Sequence, residues 1–175
     1  MKWYCVFVFF TGLGFSTVAR AQPADPGTCL EKGTVAQNKV VMVSQIATAF
    51  TLNALNQFET AQVYSNNMRV NVRSQGGKYR LYVAGELTLP SGVTTPIPLN
   101  NFTVTPTVIS SNTPNNITLS TPALSGAYQL LTQRSNATNA AGDEYFFTIG
   151  LSGMNTYAQA PGNYTLKFHF RLCHY

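Results

Sequence analysis

The sequence predicts an all-β protein: an antiparallel two-sheet sandwich of immunoglobulin-like type with about seven or eight strands. Three observations lead there. The chain closes on a long strand in which Tyr164, Leu166, Phe168, Phe170 and Leu172 fall at every second position, with Thr165, Lys167, His169 and Arg171 between them. Such alternation leaves one apolar and one polar face, the mark of a half-buried strand. Upstream, short segments of the same period recur, separated by Gly, Pro, Asn and Ser, and no convincing helical period appears.

In order along the chain, residues 22–38 are rich in Pro, Gly and polar side chains and read as an extended N-terminal arm, with the sandwich over 39–175. From Lys39 to Asn53, Val41 and Val43 share one phase, whereas Ile46, Phe50 and Leu52 share the other. The slip predicts a bulge, or a break between two short strands. Between Asn53 and Asn67 the spacing of Leu52, Leu55 and Phe58 allows one helical turn, while the asparagines favour an irregular connection.

Met68–Ala84 reads as a hairpin turned at Gly76-Gly77, which sets Val72 opposite Leu81 and Val70 opposite Val83. That register also sets Arg73 against Arg80, a like-charge pair that Glu86 or a bound anion would relieve. Pro90–Pro98 is a loop or an edge. Strand candidates follow at Leu99–Val108, Ile117–Leu119, Tyr128–Leu131 and Glu144–Leu151, before Pro161-Gly162 turns the chain into its last strand.

Met1-Lys2, an apolar run from Trp3, and Val18-Ala19-Arg20-Ala21 form a secretory signal peptide over residues 1–21, with cleavage after Ala21. The other reading, an uncleaved anchor, is opposed by a run shorter than the ~20 residues a bilayer span needs. Cleavage leaves 9 basic against 6 acidic residues and no membrane span. Charged residues make up 10% of the chain, below the ~25% usual in soluble domains. So sparse a set of cations does not suit a nucleic-acid partner. Cleavage also removes Cys5, and in an oxidising compartment Cys29 and Cys173 can pair in only one way within the chain. Free or intermolecular cysteines are the alternative.

Catalysis needs a nucleophile or metal and a group to move protons. His169 and His174 alternate to opposite faces, and Asp143-Glu144 reads as a solvated pair before it reads as a cation site. No pair is selected among Glu59, Glu86, Asp143 and Glu144. The sequence predicts no enzyme, no cofactor and no metal. Arg73, Arg80 and Tyr82 form a candidate face for an anionic polysaccharide, with an ordinary solvated surface as the alternative.

The signal peptide, the Thr- and Asn-rich sandwich, the Gly162-x-Tyr164 lead into an alternating final strand and the terminal Tyr175 together resemble bacterial surface-fibre subunits, the spore coat U-like and chaperone-usher pilin domains. The resemblance implies an exported, non-enzymatic subunit of a pilus or fimbrium, structural or adhesive, whose fold receives a neighbour's strand. Self-association, other surface subunits and a periplasmic chaperone are the partners it implies. Tyr164, Leu166, Phe168, Phe170 and Leu172 would form the receiving core, and Val35, Val41 and Val43 would come from the donor. Lys39 and Gln37 interrupt the donor pattern, and cysteines bracketing the domain would tether the arm to its own body. A self-complete monomer, binding a polysaccharide at the periplasm or surface, is the alternative.

Overall fold

Two antiparallel sheets face each other across a core rich in aromatic rings. The computed structural model describes residues 28–31, 35–36, 39–43, 47–154 and 159–174. The leader, Gln22–Gly27 of the arm, Ile46 and Tyr175 lie outside the described residues. The strands are β1 (Thr28–Glu31), β2 (Val35–Ala36), β3 (Lys39–Val43), β4 (Ala47–Leu52), β5 (Gln62–Ser74), β6 (Tyr79–Thr88), β7 (Phe102–Ser110), β8 (Ile117–Leu119), β9 (Gln129–Arg134), β10 (Asp143–Leu151) and β11 (Gly162–His174). A short α-helix, α1 (Leu55–Glu59), links β4 to β5. The first sheet has six strands in the order β1-β11-β6-β9-β8, with β4 also on β11; the second has five, β2-β3-β5-β10-β7.

The expected antiparallel sandwich is what forms, with more strands than expected, of which β2 and β8 are only two and three residues long. The arm, read as extended, contributes β1 and β2. The phase slip after Val43 is a full change of sheet, since β3 pairs with β5 and β4 pairs with β11. Alternation drives the layering. Asp143, Tyr145, Phe147, Ile149 and Leu151 of β10 are buried and the residues between them are not. Phe50 stacks on Tyr164 at 5.5 Å and meets Phe102 edge-on at 5.5 Å, while Phe147 reaches Phe170 at 5.6 Å. Ring pairs at these separations add ~0.5–1.5 kcal/mol each to the area they bury.

The Met68–Ala84 hairpin does not form. β5 and β6 lie in different sheets, so Val72 faces Val41 and Asp143, and Leu81 faces Leu172 and Thr132. The chain between them is an arch across the sandwich. Alternation and a Gly-Gly pair are local, and they serve an arch as well as a hairpin. What the glycines supply is close approach: a Cβ on Gly77 would stand 2.7 Å from Cε1 of His174. Arg73 and Arg80 are therefore not a cross-strand pair, and no compensating anion is required between them.

The outer edge of β7 is blunted. Val104 N–H donates to Pro122 O and Phe102 O accepts from Leu124 N–H, so even-numbered residues turn their backbone groups away from β10. Pro106 falls in that phase, and the missing N–H lies on the outer edge, where a pairing strand would look for it.

Candidate functional site

β11 is the spine of the first sheet. Its residues Tyr164, Leu166, Phe168, Phe170 and Leu172 are all at most 2% exposed. On one side it pairs with β6 from Thr165 to His174. The other side is shared: β4 covers Gly162–Lys167 and β1 covers Arg171–His174. Among the described residues, no strand pairs with Phe168–Phe170 on this side. The cysteines expected to meet do so: Cys29 lies directly opposite Cys173, bridged to it across a sequence separation of 144. The donor candidates lie elsewhere. Val35 is in β2 opposite Val40, and Val41 and Val43 are in β3 opposite Val72 and Val70, within the second sheet.

A buried polar cluster at the C-terminal end of β9 has no counterpart in the sequence reading. Arg134 is completely buried and pairs with Asp143, also completely buried, at 2.5 Å. Its Nη1 also donates to Ser111 Oγ, its Nη2 to Asn112 Oδ1, Thr113 Oγ1 and Ala137 O, and its Nε to Asn136 O. Tyr79 donates its hydroxyl to Asp143 Oδ2 at 2.7 Å and lies 2.5 Å from the Tyr145 hydroxyl. A fully ligated guanidinium is the form in which a buried cation is tolerated. Gly142, with φ +79°, lets the chain pass so close to Val72 O that a Cβ would stand 2.6 Å from it, and so carries Asp143 inward.

Burial pushes the Tyr145 hydroxyl up to about 12, and burial, with Tyr145 and Asp143 beside it, pushes Tyr79 further in the same direction. Tyr64 and Tyr164 are also raised by burial. Raised phenol values mean that the folded state holds protons that the unfolded state releases above ~10. Their stabilising contribution is present below pH 10 and is lost as pH climbs toward 12, at about 1.4 kcal/mol per tyrosine per pH unit. Urea midpoints measured from pH 9 to 12 should fall steeply, and less steeply in Tyr79→Phe. A flat profile would contradict the buried phenols.

The residues of the proposed polysaccharide face do not stay together. Arg80 and Tyr82 alternate outward from β6 in the first sheet, whereas Arg73 lies on β5 in the second, opposite Val40. The first sheet instead brings Arg171 opposite Tyr82. The Arg171 guanidinium lies over the Tyr128 ring at 4.4 Å, and Arg80 Nε donates to Gln133 Oε1 at 3.1 Å. His169 and Glu86 meet at 3.1 Å. Asp143 and Glu144 point apart, the former to Arg134 and the latter to Arg69. Among the described residues, no three His, Cys, Asp or Glu side chains gather where a metal could bind, and no helix is long and apolar enough to cross a membrane. A groove of about 200 Å³ beside α1 is lined by Asn53, Ala54, Leu55, Phe58, Gln159 and Pro161, none of which titrates.

Two signals for the missed residues were available. Asp143 shares the inward phase of Tyr145, Phe147, Ile149 and Leu151, and a carboxylate in that phase requires a buried partner. Lys167 and Arg171 were legible as outward residues, but which strand lies beside them is not a local property. These features define an antiparallel β-sandwich closed by a disulfide between its first described strand and its last. No protein-family model, curated protein or solved structure matches the chain.

Proposed function

We propose that this chain is an exported, non-enzymatic sandwich acting at the bacterial cell surface as a structural or adhesive subunit, joined to its neighbours by strand addition. The observation that carries this reading is the composite edge of β11, shared by two short strands with Phe168–Phe170 paired to neither. The exchanging piece is β1, which four residue pairs hold to β11, whereas β3 is held to β5 by five pairs and carries β2 on its far side. The bridge exchanges with it: each copy breaks its own Cys29–Cys173 disulfide and forms one from its Cys29 to Cys173 of the next copy, a thiol–disulfide exchange through a catalytic thiol with no net oxidation. Val35, Val41 and Val43 then remain with their own second sheet while the arm ahead of them reaches the next copy. A signal peptide cleaved after Ala21 and an oxidising compartment fit the same reading. A periplasmic chaperone would guard the edge before assembly. The disulfide favours a second reading, a monomer whose arm stays on its own body.

Size exclusion with light scattering, on the chain from Gln22, separates the two. Concentration-dependent multimers are expected, and they should vanish in Leu30→Pro, which removes a backbone donor from β1 without touching either cysteine. The chain from Asn38 carrying Cys173→Ser should be monomeric too. A monomer at every concentration for the chain from Gln22 would overturn strand addition and leave the monomeric module.

A further inference from the structure

We propose that Asn116 is the acceptor of an N-linked glycan, the one of four Asn-x-Thr triplets that the folded protein presents, and that this glycan covers the open edge of β8. The proposal goes beyond strand addition and rests on the reading above for export alone.

The triplets begin at Asn101, Asn116, Asn136 and Asn163, each with Thr two residues on. In the transfer, Asn Nδ2 attacks the anomeric carbon of a lipid-linked oligosaccharide. An N–C bond forms, the C–O bond to the lipid pyrophosphate breaks, and the nitrogen gives up a proton as the pyrophosphate leaves with the electron pair. No oxidant or reductant takes part. The Thr hydroxyl is read along with the amide, so both side chains and the backbone between them have to enter the transferase together. In a folded protein the usable triplet is therefore one exposed at both ends and weakly tied to its sheet.

Three of the four do not meet that condition. Asn136 Nδ2 donates to Thr113 Oγ1, and Thr138 is buried with its Oγ1 accepting from the Ser74 N–H. Thr103, the third residue of the triplet at Asn101, is held on both sides, by Gly150 of β10 and by a bridge to Ala123. Asn163 is exposed, but its Oδ1 accepts from Thr51 Oγ1, and Thr165 is fixed between Ala49 of β4 and Thr88 of β6. Asn116 differs at each point. It ends the 3-10 turn Pro114–Asn116, it and Thr118 are both exposed, and among the described residues neither side chain forms a hydrogen bond. Thr118 is in β8, the outermost strand of the first sheet, which is three residues long and pairs, among the described residues, with β9 alone. Such an edge, with Leu119 42% exposed, is a template for unwanted pairing. Natural edges are protected by charge, by proline or by a cover, and Ile117-Thr118-Leu119 has neither charge nor proline. A glycan at the entry to β8 supplies the cover, and it leaves the border of β11 open at the opposite side of the sheet.

The test treats the folded chain from Gln22, in its monomeric fraction, with a lipid-linked oligosaccharide and an oligosaccharyltransferase chosen because it glycosylates a synthetic peptide of residues 111–121. Glycopeptide mapping should find the glycan on Asn116, and about tenfold less or none at each of the other three triplets. Asn116→Gln and Thr118→Ala should each abolish it, with near-ultraviolet circular dichroism unchanged because both positions lie on the surface. On heating, the glycosylated chain should aggregate more slowly than the bare chain, and Leu119→Lys in the bare chain should reproduce part of that protection. A folded chain left unmodified overturns the proposal, as does modification of Asn163 equal to that of Asn116. So does native protein, taken from the cells that export it, with a bare Asn116, and equal aggregation of the two forms overturns the covering role. Because the reaction reads the body of the monomer, failure here leaves strand addition untouched, and failure of strand addition leaves this site intact.

Discussion

Replacing Arg134 with methionine lowers the unfolding free energy by about 3–5 kcal/mol, the loss expected when one member of a buried ion pair is removed and the other is stranded. Asp143 would then be a completely buried carboxylate facing two phenols, with no cation to offset it. The loss also spreads outward, because Arg134 ties Ser111, Asn112 and Thr113 on one side and Asn136 and Ala137 on the other to the end of β9. Urea denaturation measures the first effect and amide exchange at residues 111–113 and 136–137 the second. The double variant Arg134→Met, Asp143→Leu should recover a large part of the loss, since apolar replacement of a whole buried pair is often tolerated. A cost under about 1 kcal/mol for Arg134→Met would show that water reaches Asp143 and that the cluster does not organise this end of the fold.

Removing the bridge with Cys29→Ser and Cys173→Ser costs about 5 kcal/mol if chain entropy governs, because the closed loop spans 144 residues. Denaturation of the oxidised chain against the double variant measures it. A difference below about 1 kcal/mol would mean that the unfolded chain already holds its ends together or that the native bridge carries offsetting cost. The bridge and Arg134 lie at the same end of the first sheet, where Tyr79 stands opposite both Arg134 and His174, so their losses should couple and not simply add.

Much of the framework was legible because it is local. The alternation of β10 and β11 places every inward residue, and a pair of cysteines admits one bridge. Partner choice was not legible. The Gly76-Gly77 turn looks the same whether β5 and β6 pair or part, and only the neighbours on both sides of each strand decide it. Arg134 was hidden for a second reason. β9 skips a residue against β6 at Leu131, so the phase is broken three residues before the arginine, and its acceptors come from loops that no pattern joins to it. The outer face of β6 was half legible: Arg80 and Tyr82 were named from their own strand, whereas their neighbours Arg171 and Tyr128 arrive from elsewhere in the chain.

Pro106 has a consequence for the geometry of growth. A subunit that accepted strands at both of its sheets would have two receptors for each arm, and its assemblies would branch into a disordered network. By withholding one backbone donor midway along β7, the chain disfavours pairing at that border, so if copies join by strand addition as proposed, the border of β11 is the one left to receive an arm. One arm and one receptor per copy would then make a subunit of valence two, and objects of valence two form unbranched threads.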